Sequence, residues 1–145
     1  MKTILHPTDF SGISRPAFKK AIELAKRDRA MLELLHVITP VIPVPGGQVP
    51  RSTYKELDAA ATTSAHRSME ELVEQARAAG VKTTVTIVEG RPADRIVRAA
   101  RARHADLIVI GTHGRTGLSR FLLGSVATRV ISLSPCLVLT VRGRR

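Results

Sequence analysis

The stretch Asp106-Leu107-Ile108-Val109-Ile110, followed at once by Gly111-Thr112-His113-Gly114, decides the architecture of this chain. Four large aliphatic residues in a row, with no polar alternation and a glycine stop, read as a strand buried on both faces, which is how parallel sheets are built. Upstream, Pro92 after Gly90 opens a helix that runs to His104. Ile96, Val97 and Ala100 supply its core side, and Arg95, Arg98 and Arg101 share another. Before that helix, Val81–Val88 alternates as a half-exposed edge strand, with Val81, Thr83, Val85 and Ile87 on one face. An alanine-rich helical pattern from about Thr53 to Ala79 precedes it and stops at Gly80, a residue suited to a left-handed cap.

The same alternation extends to both ends. Thr3–His6 is a short apolar strand stopped by Pro7-Thr8-Asp9. Ser14–Asp28 is a helix with Ser14 as N-cap and Pro16 in its first turn, and Met31–Ile38 is a second buried strand. Residues 39–54 hold four of the eight prolines together with Gly46 and Gly47, a long connection that is either a lid or plain surface. Beyond Gly111–Leu123 a last helix reaches about Leu133, and Pro135 precedes a final strand, Cys136–Val141. Five strands separated by helices require parallel crossovers, so the fold class is α/β: one doubly wound domain over residues 1–145, with helices on both faces of the sheet. In such sheets ligands lie beyond the carboxyl ends of the strands, where the strand order reverses.

Composition narrows the function. The 145 residues are 43% hydrophobic and 24% charged with a mean hydropathy of +0.03, which excludes disordered, collagen-like and polytopic membrane classes. The uncharged run Val130–Val141 falls short of the roughly 20 residues that span a bilayer, so no membrane partner is expected. A lone cysteine, Cys136, can form no internal disulfide, which fits a reducing cytoplasm; it reads as a small buried hydrophobe. The net charge of +11 is uneven: residues 76–145 carry thirteen Lys/Arg against three Asp/Glu. That field attracts polyanions. One Tyr, three Phe and no Trp leave little for base stacking, however, so nucleic acid is not the expected partner and any such binding should be weak and salt-screened.

Two loops at strand ends carry the chemistry. His6-Pro7-Thr8-Asp9-Phe10-Ser11 offers a carboxylate, two hydroxyls and a rigid proline. The second loop has glycines at 111, 114 and 124, with Ser125 opening the next helix. Glycines admit an anion close to the backbone, and N–H groups at a helix start donate to phosphate. The alternative is a glycine-rich turn and a helix interrupted by Gly124, at a cost of about 1 kcal/mol. Neither GxxxxGK[ST] nor GxGxxG is present. His113 has no recognisable carboxylate partner for general-base work, His6 and His36 sit in buried strands with core roles, and Asp9 reads as a ligand contact or a helix-start cap.

The pattern G-x2-G-x9-G-[S/T], with the opening ILHPTDFS, the LLHVI of the second strand and the closing Pro135–Val141, resembles the universal stress protein family over the whole chain. The resemblance implies an adenine-nucleotide alpha-hydrolase-like sheet of order 3-2-1-4-5 and, because the glycines are intact, the subclass that binds ATP. By motif, Pro7, Thr8 and Asp9 would face the adenosine end and the Val37 backbone would read the adenine edge. Gly111 and Thr112 would approach ribose and phosphate, and His113, Gly114, Arg115, Gly124, Ser125 and Val126 would belong to the phosphate loop. Mg or Mn would arrive on the phosphates, since the glycine loop holds no carboxylate of its own. The resemblance also implies a homodimer through Cys136–Val141, an uncharged strand at a sheet edge. The function so read is a nucleotide-dependent regulatory module of the stress response, the alternatives being a slow ATPase or other nucleotide-processing enzyme and, behind these, a non-specific nucleic-acid-binding protein.

Overall fold

Leu107, Ile108, Val109 and Ile110 are buried and occupy the interior of a five-stranded sheet. The computed structural model describes residues 1–113 and 123–143. Along them run β1 (Thr3–Pro7), α1 (Arg15–Asp28), β2 (Met31–Ile38), α2 (Arg51–Ala78), β3 (Thr83–Glu89), α3 (Pro92–Ala102), β4 (Leu107–Gly111), α4 (Ser125–Leu133) and β5 (Leu137–Val141). All strand pairs are parallel, in the order β3-β2-β1-β4-β5. The chain leaves β1 toward one edge and returns to lay β4 on its other side, so the reversal falls between β1 and β4.

Alternate strand residues feed two cores. Ile4, Leu32, Leu34 and Val109 pack with Phe18 and Ala21 of α1 and with Met69 and Ala76 of α2. Leu5, Leu35, Ile108 and Ile110 pack with Ile96 and Ala100 of α3 and with Ala127 and Val130 of α4. Polar side chains fix the register at the amino ends of the strands. Asp106 accepts hydrogen bonds from the N–H groups of Lys2 (2.6 Å) and Thr3 (3.0 Å), which hold its carboxyl below the ordinary range. Glu33 is buried on β2, where it accepts from the Thr86 hydroxyl at 2.6 Å and from Thr84, with Arg103 Nε 3.6 Å away.

Several boundaries differ from the sequence reading for local reasons. Gly80 is left-handed as expected (φ +78), but Val81 belongs to the end of α2. Its N–H bonds to Ala76 O and that of Gly80 to Arg77 O, a Schellman closure that uses Val81 as its apolar plug, so β3 starts two residues later. The same pattern of bonds ends α3 at Ala102, with His104 left-handed (φ +50) and Ala105 N–H on Ala100 O. β3 is the half-exposed edge strand expected, with Val85 43% exposed. Ser14 stands at the N-cap of α1 without capping it: Pro16 removes one of the N–H groups it would serve, and its hydroxyl donates to Ser11 O instead, at 2.8 Å. Cys136 precedes β5 and is half-buried rather than enclosed.

Candidate functional site

The segments that leave β1, β2 and β4 meet the start of α4 around a cleft of about 570 Å³, within the usual range for small-molecule sites. Pro7, Thr8 and Asp9 line it from β1, Val37 from β2, Gly111, Thr112 and His113 from β4, and Gly124, Ser125 and Val126 from α4. Ten of the twelve expected site residues are thus brought together. Gly114 and Arg115 lie outside the described residues.

Backbone and side-chain bonds set the β1 wall. Thr8 N–H bonds to Leu35 O at 2.9 Å, anchoring the segment to β2. The Thr8 hydroxyl accepts from Phe10 N–H and the Asp9 carboxylate from Ser11 N–H, both at 3.0 Å. These two side-chain turns carry Phe10 through a left-handed conformation (φ +63), uncommon for a residue with a Cβ. Its ring lies 4.4 Å from that of His36, which makes a 2.8 Å hydrogen bond to Thr8 O. Phe10 and His36 also line the cleft and were not among the expected contacts. The signal for His36 was a polar residue near the carboxyl end of a largely apolar strand.

On the opposite wall Gly124 is the N-cap of α4, not an interior interruption. It has ordinary extended backbone, so its glycine serves proximity rather than conformation. Its N–H bonds to Thr112 O at 2.7 Å, and a Cβ there would stand 3.0 Å from that same oxygen. Gly111 is less constrained, since a Cβ would meet its neighbours no closer than 3.6 Å. The first N–H groups of α4, at Ser125, Val126 and Ala127, have no carbonyl of their own helix to bond, and these residues face the cleft. Such a helix start favours an anion.

Titratable chemistry in the cleft is sparse. Asp9 is the one carboxylate among the described lining residues. His113 Nδ1 lies 2.9 Å from the Thr112 hydroxyl and its buried Nε2 has no hydrogen-bond partner among the described residues. Below the cleft, fully buried His6 bonds Val109 O through Nδ1 at 2.8 Å, and burial lowers its pKa to about 4. His6 is therefore a core residue, as expected.

The profile of the universal stress protein family matches residues 1–142. The chain belongs to that family. Universal stress protein MJ0531 of Methanocaldococcus jannaschii is 37% identical over 97% of this chain and 82% of the relative, and YxiE of Bacillus subtilis is 32% identical over 92% and 94%. UspA of Lactobacillus plantarum superposes with a TM-score of 0.87 at 27% identity, covering 97% of each chain. A universal stress protein solved in complex with cAMP superposes at 0.71 and 25% identity, covering 99% of this chain and 98% of that one. In this universal stress protein, no helix among the described residues is long and apolar enough to cross a membrane.

Proposed function

We propose that this universal stress protein is a regulatory module that binds ATP in the cleft between β1 and β4. The observation that carries the reading is the convergence of four separate segments, all at the carboxyl side of the sheet's reversal point, on one cleft with a carboxylate wall and a helix-start wall. The relative solved with cAMP supports an adenine nucleotide as the class of ligand. Asp9, with Pro7 and Thr8, takes the adenosine end, and the Val37 backbone meets the adenine edge. Gly111 and Thr112 approach the sugar, and the α4 N–H groups with Ser125 and the loop residues Gly114 and Arg115 take the phosphates. Among the described residues no cluster of three His, Cys, Asp or Glu could hold a metal, so a divalent ion is carried by the phosphates, where it neutralises their charge. Gentle denaturation of purified protein and mass analysis of released small molecules tests this: an adenine nucleotide is expected, and a ligand of another class contradicts it.

Turnover is expected to be slower than about 1 per second, the lower end of ordinary enzyme rates. A fast phosphoryl transfer needs an oriented water and charge stabilisation at the transferred group. His113 bonds a hydroxyl rather than a carboxylate, and Asp9 already accepts from Ser11 N–H. Phosphate release under saturating ATP measures this, and enzyme-like turnover contradicts a passive cradle.

A homodimer through β5 completes the proposal. Leu137 is 71% exposed on this edge strand, and Leu139 of β5 with Ile131 and Leu133 of α4 are also exposed. An uncovered apolar edge invites strand pairing with a second copy. Val138→Pro removes a ladder donor and is expected to yield monomers in light scattering; an unchanged dimer places the interface elsewhere.

A further inference from the structure

The structure assigns a second binding surface: we infer that the outer face of α3 docks the phosphate backbone of a nucleic acid, without reading its bases. Steps of four, three and three residues keep Arg91, Arg95, Arg98 and Arg101 on one side of the helix over about 15 Å of its axis. Arg91, Arg98 and Arg101 are exposed and Arg95 is partly so. Among the described residues no carboxylate lies within ion-pair distance of any of the four. The carboxylate on this side, Asp94, is paired with Arg129 of α4 at 3.1 Å, so the face keeps its full positive charge. All four cations are arginine, whose planar fork matches phosphate oxygens bidentately.

What the face lacks selects the partner. No large apolar side chain is exposed on α3. A protein partner would need an apolar centre to its interface, and a stable membrane anchor adds buried apolar residues to charge attraction, whereas nucleic-acid contacts are polar and cationic. The scarcity of aromatic residues that argued against nucleic acid excludes base stacking, not contact with the backbone. None of the four arginines lines the nucleotide cleft, which α3 meets with Pro92 and Ile96.

The test is fluorescence anisotropy of the full chain with labelled oligothymidylate and with a labelled DNA duplex, over a range of salt, and with polyglutamate as competitor. R98E/R101E is expected to bind at least about tenfold more weakly than the parent, with the slope of log affinity against log salt reduced by about 2. K19E/K26E makes the same charge change on exposed positions of α1, which packs on the other face of the sheet, and is expected to stay within about threefold of the parent. R98Q/R101Q, with a smaller loss in the same direction, guards against damage to α3 by charge reversal. A preference for single strand or duplex identifies the form of backbone. The inference is overturned if neither probe binds at low salt, if K19E/K26E loses as much as R98E/R101E, or if polyglutamate competes as well per charge as DNA.

Discussion

Gly124→Val is expected to bind ATP at least about a hundredfold more weakly than the parent, a loss of about 2.7 kcal/mol, with its circular dichroism unchanged. The physical cause is local. A Cβ at Gly124 stands 3.0 Å from Thr112 O, the oxygen that its own N–H bonds, so the branched side chain must push the β4 segment away from the head of α4. That shift disturbs the cleft wall where β4 meets the head of α4, while neither core cluster contains Gly124. Gly111→Ala is expected to be much milder, because its Cβ finds only ordinary contacts from 3.6 Å outward. Isothermal titration of the two variants distinguishes them. Equal losses would mean that close approach at Gly124 is not what the site requires.

Acid is expected to cost the fold about 2 kcal/mol between pH 6.5 and 5, through His6. Its pKa falls from 6.5 to about 4 on folding because enclosure of the ring outweighs the hydrogen bond to Val109 O and the charge of Asp9, both of which favour the protonated form. Below pH 6.5 the unfolded chain takes up a proton that the folded chain refuses. Stability therefore falls with pH across the window from 6.5 to 4 and is fully present above it. His6→Asn is expected to be less stable at pH 7, having lost packing against Phe18, but to show a flatter dependence over this window. Urea midpoints for both proteins at pH 7 and pH 5 measure the difference, and an equally steep fall in the variant would assign the acid sensitivity to other groups.

Why these particular features were legible in the sequence, and others not, follows from how local their causes are. The five strands and four helices were readable because each carries its own local hydrophobic pattern, as in the unbroken run Leu107–Ile110. The strand order required the family resemblance, since nothing in a strand's own residues names its neighbours. Ten of the expected site residues converge because both loops follow strands whose carboxyl ends must lie together once the sheet is parallel. What escaped depends on pairings between distant residues. Glu33 looked like an interruption of β2 until Thr84, Thr86 and Arg103 supplied its partners. Val81 looked like strand and serves a helix end, and Phe10 gave no sign that two side-chain turns would hold it left-handed over His36. The arginine face of α3 was visible as a periodicity, but its lack of paired carboxylates is a fact of three dimensions.

The cleft between β1 and β4 is proposed above as an adenine-nucleotide site. Calorimetric titration of nucleotide-free protein with Mg-ATP, followed by the same titration of Asp9→Ala, tests it most directly. One saturable site per chain is expected for the parent and weaker binding for the variant. No heat of binding up to about 1 mM ATP, corresponding to less than about 4 kcal/mol of affinity, would contradict it.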